Sequence, residues 1–197
     1  MTYEFTNTWF DDTADWGGLR SIMTQRKTFL EIGSYEGRSS VYMIENLISD
    51  DGTLYCIDTW KGGEEHKNDN MAAVEARFNK NIDIALKKHP SKTVHKMKGN
   101  SYDRLAELIT APYLRGTFDF IYIDGSHLAK DVLSDACMCW PLLKHGGVMC
   151  FDDYLWGERD QLLRRPKMAV DAFMNIYASE ILPVYIGAQM MIAKGEL

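Results

Sequence analysis

Residues 28–40 read Thr-Phe-Leu-Glu-Ile-Gly-Ser-Tyr-Glu-Gly-Arg-Ser-Ser. The apolar start of this stretch is typical of a buried parallel strand, and apolar residues recur at helical spacing after position 40. Between them, Gly33 and Gly37 predict a tight turn that a ligand can approach closely, because glycine has no Cβ. The stretch therefore predicts a strand, a glycine turn and a helix whose first N–H groups face a ligand.

The spacing of the two glycines differs from that of a dinucleotide-binding turn. Such a turn carries G-x-G-x-x-G, whereas this chain has Glu31-x-Gly33-x-x-x-Gly37. Glu31 lies just before the first glycine, where a carboxylate could bind the ammonium group of a ligand. Taken alone, an ordinary βα turn with glycines for geometry explains the motif equally well.

The length of 197 residues is enough for one domain with a full core. We expect an aromatic-rich N-terminal flap over residues 1–27, with a short helix near residues 19–23, and a single domain over residues 28–197. The flap could cover part of the core or form an aromatic wall over a ligand site, and the simpler first role is preferred.

Composition excludes several classes of protein. No apolar run approaches the roughly 20 residues that span a bilayer, and the acidic N-terminal residues predict no signal peptide. The four cysteines form no C-x-x-C pair, which favours free thiols and a cytoplasmic location. The net charge of -6 argues weakly against nucleic acid as a partner. The oligomeric state is open, with a homodimer among the alternatives.

A second candidate binding residue ends the next predicted strand, residues 53–57. In an open α/β sheet, ligands bind beyond the carboxyl ends of the strands, and a carboxylate there can accept both hydroxyls of a ribose. Asp58 occupies this place. The alternative is a surface aspartate that caps the next segment, and the position of Asp58 favours the ribose role.

Strand-like and helix-like stretches alternate along the rest of the chain, which predicts a doubly wound parallel sheet. A helix over residues 128–143 is expected to stop at Gly146 and Gly147. The last two strands are close together and predict an antiparallel hairpin. The predicted strands are residues 29–32, 53–57, 93–98 (an edge strand), 118–123, 148–151, 182–186 and 189–193.

Three acids follow neighbouring predicted strands at the same edge of the sheet. Asp124 follows the fourth strand, and Asp152 and Asp153 follow the fifth. Carboxylates this close repel one another unless a positive charge lies between them. A cationic ligand or a hard divalent cation can supply that charge. Turn chemistry alone explains one aspartate well and three converging ones poorly.

Together these motifs resemble the class I S-adenosylmethionine-dependent methyltransferases. The pattern Asp-Gly-Ser-His at 124–127, a helix, then Gly-Gly-x-x-x-x-Asp-Asp at 146–153 is similar to a methyltransferase-24-like subgroup related to metal-dependent sugar O-methyltransferases. The resemblance covers about residues 28–194. It implies a Rossmann-like α/β fold: a seven-stranded, mostly parallel sheet with a C-terminal antiparallel hairpin and helices on both faces. It also implies transfer of a methyl group to a hydroxyl of a small molecule or sugar.

The resemblance also implies roles for individual residues. Asp124, Asp152 and Asp153 would hold Mg²⁺. Ser126 replaces an acid that many relatives carry, which leaves His127 as the candidate base beside Asp124. As an alternative, His127 hydrogen-bonds the turn at a helix start. The implied cofactor contacts are Glu31, Gly33, Ser34, Tyr35, Gly37, Ser39, Asp58, Thr59, Asn100, Ser101, Asp124 and His127.

Other functions account for the motifs less well. An amino-methyltransferase of nucleic acid usually carries Asn/Asp-Pro-Pro-Tyr/Phe after strand four, which this chain lacks. An NAD-dependent oxidoreductase carries G-x-G-x-x-G in the first turn, and this chain lacks that spacing. A methyltransferase acting on protein, and a module that binds S-adenosylmethionine or a nucleoside without catalysis, both stay open, because fold does not determine function. The sequence leaves the small-molecule acceptor unidentified.

Overall fold

The computed structural model describes residues 2–13, 16–19, 25–63, 66–157 and 160–195. Residues 20–23 of the short helix expected near the N-terminus lie outside these ranges. The chain divides into two compact units, Met1–Asn100 and Ser101–Leu197, and each is described by itself.

The first unit contains three parallel strands. They are β1 (Thr28–Ile32), β2 (Thr53–Asp58) and β3 (Thr93–Lys98). Thr28 pairs with Thr53, and Thr53 pairs with Thr93, so the strands run in register. Phe29 and Leu30 are fully buried, as the apolar run predicted, whereas β3 is largely exposed, as expected of an edge strand.

The helices of the first unit flank these strands in the chain. They are α1 (Trp9–Thr13), α2 (Arg38–Tyr42), which continues into a π-helical turn (Met43–Leu47), and α3 (Met71–Lys88). Apolar residues at helical spacing, among them Val74, Phe78 and Ile82, predict a helix over residues 71–88, and α3 has these bounds. Asn70 caps its first turn by accepting a hydrogen bond from the Ala73 N–H, and lysines in its last turn complement the helix dipole.

The second unit combines a parallel strand pair with an antiparallel hairpin. Strand β4 (Phe118–Ile123) is parallel to β5 (Leu143–Phe151), while β7 (Met190–Lys194) is antiparallel to both β5 and β6 (Ile181–Ile186). Its α-helices are α4 (Ser101–Thr110), α5 (Ala129–Cys139) and α6 (Pro166–Ile176). Short 3₁₀ turns cover Pro112–Leu114, Leu162–Arg164 and Ala178–Glu180.

The strands form a seven-stranded sheet of order β3-β2-β1-β4-β5-β7-β6. The sheet is mostly parallel and ends in the antiparallel β6–β7 hairpin. The predicted fold class, a mostly parallel seven-stranded sheet with this C-terminal hairpin, is therefore confirmed. Among the described residues, no helix is long and apolar enough to cross a membrane.

The predicted end of the fifth helix is wrong. Helix α5 ends at Cys139, and the glycine pair lies inside β5, which begins at Leu143. A Cβ on Gly147 would lie 2.9 Å from the carbonyl oxygen of Phe118, so close backbone packing, rather than a helix stop, requires this glycine. The pairing of β4 with β5 is irregular at the same level, between Phe118 and Phe120.

Candidate functional site

The glycine turn between β1 and α2 has an unusual backbone. Gly33 and Gly37 adopt φ angles of 87° and 79°, and Tyr35 between them has φ 47°. The N–H of Gly37 donates to the carbonyl of Ser34 at 2.7 Å, which closes the turn. Since left-handed backbone is easy for glycine and costly for other residues, the two glycines are required by geometry.

Asp58, at the end of β2, is fixed beside this turn. Its Oδ2 accepts a hydrogen bond from the Tyr35 N–H at 2.8 Å, and its Oδ1 accepts one from the Trp60 N–H at 2.6 Å. A carboxylate has about four acceptor positions, so two remain for ligand hydroxyls. The structure thus orients Asp58 in a way that suits the predicted ribose contact. Thr59 turns to its own loop, where its hydroxyl accepts from the Lys61 N–H.

Glu31 is placed differently from the sequence-based expectation. Its side chain is fully buried, and the hydroxyls of Ser39 and Ser40 donate to its two carboxylate oxygens. Burial raises its pKa, and the serine hydrogen bonds lower it in part. This packing does not support the predicted contact with a ligand ammonium group, because the carboxylate is enclosed. The Ser39 hydroxyl is likewise used inside the protein.

The remaining predicted cofactor contacts are Ser34 in the glycine turn and Asn100 and Ser101 at the start of α4. Ser34 is buried, and its Oγ lies near Glu31 without a hydrogen bond of good geometry. Asn100 is exposed at the end of the first unit. Ser101 begins α4, and its hydroxyl hydrogen-bonds the buried Asp135. Burial raises the pKa of Asp135 to about 6, although the Ser101 hydrogen bond opposes that rise.

In the second unit, three predicted site residues converge. Asp124, His127 and Asp153 offer ligand atoms that all lie within 4.8 Å of one another. His127 Nε2 lies 2.8 Å from Asp153 Oδ2. Asp153 has φ 53°, a left-handed conformation that costs energy in a residue other than glycine. We call these three side chains the acidic cluster.

Asp152 lies next to the acidic cluster, with its carboxylate bound inside the protein. The Tyr122 hydroxyl oxygen lies 2.6 Å from Asp152 Oδ2 and 3.1 Å from Asp124 Oδ2, so one phenol contacts both carboxylates. Gln189 Nε2 donates to Asp152 Oδ1 at 2.8 Å. Burial, and then the charge of Asp153, raise the pKa of Asp152. Asp124, Asp152 and Asp153 therefore lie in one neighbourhood, as the sequence suggested.

The donors of this neighbourhood fit a divalent cation. Carboxylate oxygens are the ligands that Mg²⁺ prefers, and a cation relieves the repulsion between adjacent carboxylates.

Ser126 takes no part in this site. Its hydroxyl donates to Asp131 at 2.8 Å and accepts from the Leu128 N–H, so it stabilises the start of α5.

Sequence reasoning missed several residues around the acidic cluster. Tyr122 and Gln189 are both fully buried, and their contacts join elements far apart in the chain. Trp156 lies over His127 with ring centroids 4.4 Å apart and is 47% exposed. An exposed tryptophan within a polar loop is a signal that could have been noticed, whereas Gln189 has no local signal.

A family model described as a methyltransferase domain matches residues 30–154. The chain is 30% identical over 140 residues to a probable caffeoyl-CoA O-methyltransferase 3 of Dictyostelium discoideum, covering 70% of this chain and 47% of that protein. The chain thus spans about half the length of the curated relatives it matches.

Solved structures show the same fold at low sequence identity. The O-methyltransferase TomG of Streptomyces achromogenes, in complex with S-adenosylmethionine, has a TM-score of 0.65 at 18% identity, covering 95% of this chain and 85% of that chain. The O-methyltransferase of Bacillus cereus, in complex with S-adenosylhomocysteine, has a TM-score of 0.64 at 18% identity, covering 98% and 84%.

Proposed function

Because the chain belongs to the methyltransferase domain family, we propose that it transfers a methyl group from S-adenosylmethionine to a hydroxyl of a small molecule or sugar. The observation that carries this proposal is the acidic cluster, in which Asp124, His127 and Asp153 converge. Acids and an imidazole in this arrangement suit a hydroxyl that must lose a proton. The O-methyltransferase relative and the two O-methyltransferase structures support the same reaction class.

The residues of the first unit fit part of the cofactor. Asp58 would accept hydrogen bonds from the ribose hydroxyls, since two backbone N–H groups hold its carboxylate in place. The turn from Gly33 to Gly37 would allow the cofactor to lie close to the backbone. When bound, S-adenosylmethionine supplies a methyl group that its sulfonium makes electrophilic. Asn100 and Ser101 stay candidates for the adenine.

A divalent cation is a further part of the proposal. Asp124 and Asp153, whose ligand atoms converge, would hold Mg²⁺ with Asp152 beside them, and Mg²⁺ when bound makes a hydroxyl easier to deprotonate. The structure of the methyltransferase MycE in complex with Mg, S-adenosylhomocysteine and mycinamycin VI shares the fold, with a TM-score of 0.60 at 16% identity, covering 98% of this chain and 51% of that chain.

His127 is the proposed base. Its Nδ1 is buried, so Nε2 is the nitrogen that an acceptor can reach, and Nε2 takes the proton once it has exchanged its hydrogen bond to Asp153 for one to the acceptor hydroxyl. Asp153 lies 2.8 Å from Nε2, where it orients the ring and stabilises a positive charge on it. The exposed ring of Trp156 beside His127 offers an apolar surface on which an acceptor can pack.

Titration calorimetry with S-adenosylhomocysteine tests the cofactor, with NAD as a control and with Mg²⁺ present or chelated. We expect binding of S-adenosylhomocysteine, no binding of NAD, and tighter binding or faster turnover with Mg²⁺. Absence of S-adenosylhomocysteine binding would overturn the proposal. Binding without turnover on any hydroxylated compound would instead support the non-catalytic module.

A variant tests the acidic cluster. Asp124→Asn should abolish formation of S-adenosylhomocysteine with any acceptor found by screening hydroxylated compounds, because it removes one carboxylate of the cluster. Asp171→Asn is the matched control, because Asp171 accepts hydrogen bonds from Tyr154 and Lys167 and does not belong to the acidic cluster. Full activity of Asp124→Asn would show that the proposed site is wrong.

The cytoplasmic location and the homodimeric state stay predictions. Cell fractionation tests the location, and light scattering tests the oligomeric state.

A further inference from the structure

We propose that Glu36 is a positioning residue that fastens the N-terminal strap, residues 2–10, to the glycine turn and so holds the turn in its ligand-binding conformation. The inference rests on the proposed function, since the ligand of the turn is the cofactor proposed above. It assigns a role to an acid that no motif singled out, and to part of the predicted flap.

Glu36 lies within the turn, just before Gly37, and is almost completely buried. It is 2% exposed. Its Oε2 accepts from the Thr6 N–H at 2.7 Å, and its Oε1 accepts from the Thr6 hydroxyl at 2.7 Å. Arg77 Nε on α3 also donates to Oε1, at 2.5 Å. The carboxylate is therefore satisfied by the strap on one side and by α3 on the other.

Asn81 on α3 makes a second junction at the same place. Its side chain is fully buried. Its Nδ2 donates to the carbonyl of Glu36 at 2.9 Å and to the carbonyl of Glu4 at 2.8 Å. Its Oδ1 accepts from the Glu4 N–H at 2.8 Å. One amide thus holds the backbone of both the strap and the turn.

The turn needs such support because its backbone is strained. Tyr35, next to Glu36, has φ 47°, which crowds the Cβ of an L-residue against its own backbone. The Tyr35 N–H must stay in this orientation to bond Asp58. If the Glu36 contacts are removed, Tyr35 can relax toward ordinary backbone, and the Asp58 carboxylate then loses one of its two donors.

The strap contacts the turn at a second point through aromatic rings. Trp9 and Tyr35 have ring centroids 5.5 Å apart, and Tyr35 stacks on His66 at 4.9 Å. Trp9 also lies 5.9 Å from His66. The strap therefore holds both the backbone and the side chain of the turn, and order in the strap should rise when the turn binds ligand. Coupling of this kind is reciprocal.

The test compares two glutamates that both bind the strap. Glu36→Ala removes the contact at the turn, and Glu36→Gln keeps its shape with one acceptor oxygen. Glu45→Gln is the matched control, because Glu45 accepts from the Tyr3 hydroxyl at 2.6 Å but lies on the π-helical turn, outside the glycine turn. Kd for S-adenosylhomocysteine is measured by calorimetry at a temperature where circular dichroism shows each variant folded.

We expect Glu36→Ala to raise Kd by about 10-fold, Glu36→Gln to raise it less, and Glu45→Gln to leave it within about 2-fold. In the wild type, S-adenosylhomocysteine should slow hydrogen exchange in a peptide covering residues 2–10, and Glu36→Ala should remove this effect. Unchanged affinity in Glu36→Ala, or the same change in Glu45→Gln, would overturn the inference.

Two further outcomes are distinguishable. If Glu36→Ala does not fold, Glu36→Gln and Thr6→Val decide the question, and unchanged Kd in both rejects the role. If the wild type binds no S-adenosylhomocysteine, the proposed function fails. Exchange at the turn of the ligand-free protein then tests the positioning role alone: faster exchange in Glu36→Gln supports it, and unchanged exchange rejects it.

Discussion

Replacing Asp58 with asparagine changes one oxygen of a carboxylate whose two oxygens both face backbone N–H groups. The Tyr35 and Trp60 N–H groups lie 2.8 and 2.6 Å from Oδ2 and Oδ1. Asparagine keeps the shape but has a single acceptor oxygen, so one N–H must face the NH₂ group. A hydrogen bond to a charged group contributes about 1.5–3 kcal/mol, and we expect the free energy of unfolding to fall by an amount at the lower end of that range.

The same substitution should also weaken ligand binding, and the loss appears as a large change in Kd. If Asp58 accepts both ribose hydroxyls, the variant loses the negative charge and one acceptor. A loss of about 1.5–3 kcal/mol in binding free energy corresponds to roughly 10- to 150-fold in Kd. Titration calorimetry with S-adenosylhomocysteine measures this change, and thermal unfolding measures the change in stability.

Asp69→Asn is the control for this experiment. Asp69 accepts a hydrogen bond from the Tyr35 hydroxyl at 2.9 Å on the exposed side of the same turn, so its effect on Kd should stay within about 2-fold. An analogue without ribose hydroxyls should bind the wild type and Asp58→Asn equally. If Asp58→Asn binds S-adenosylhomocysteine as tightly as the wild type, or if the analogue shows the same loss, the ribose assignment is refuted.

Other perturbations test single features of the structure. Because burial raises the pKa of Asp135 to about 6, above its usual value, its contribution to stability is present at low pH and lost as pH rises from about 4 to 6. Asp135→Asn should remove about 2 kcal/mol of that pH dependence, measured as the difference in unfolding free energy between pH 4.5 and 7.5; an unchanged profile would contradict it. Gly37→Ala should destabilise by about 1–3 kcal/mol in chemical denaturation, because φ is 79° and the new Cβ would lie 3.0 Å from Phe78, and by more than Gly146→Ala, where no atom lies within 4 Å. Tyr122→Phe should cost about 1–3 kcal/mol, since a buried carboxylate loses a donor; a smaller loss in thermal unfolding would argue against the bridging contact.

The sequence was sufficient where a pattern is local. The apolar run before Gly33 predicted β1, and helical spacing predicted α3 with its bounds. Both signals depend on which face of an element is buried, and that is written in the order of residues. Gly146 and Gly147 misled the prediction, because a glycine required by close strand packing and a glycine that ends a helix look the same in sequence.

One part of the candidate site could be predicted from the sequence, and another part could not. Sequence placed Asp124, Asp152 and Asp153 after two adjacent strands, and the parallel pairing of β4 with β5 brings them together. It also placed Glu31 before the glycine turn, but burial, and not position, determined that its carboxylate bonds Ser39 and Ser40.

The sequence by itself therefore determined the strand and helix order, the glycine turn and the acids at the strand ends. These follow from local spacing and from the direction of parallel strands. Only the tertiary structure decided the partners of those groups: Gln189 on Asp152, and Thr6 and Arg77 on Glu36. Such contacts join residues far apart in the chain, and a buried polar group takes whichever donor the packing brings within reach.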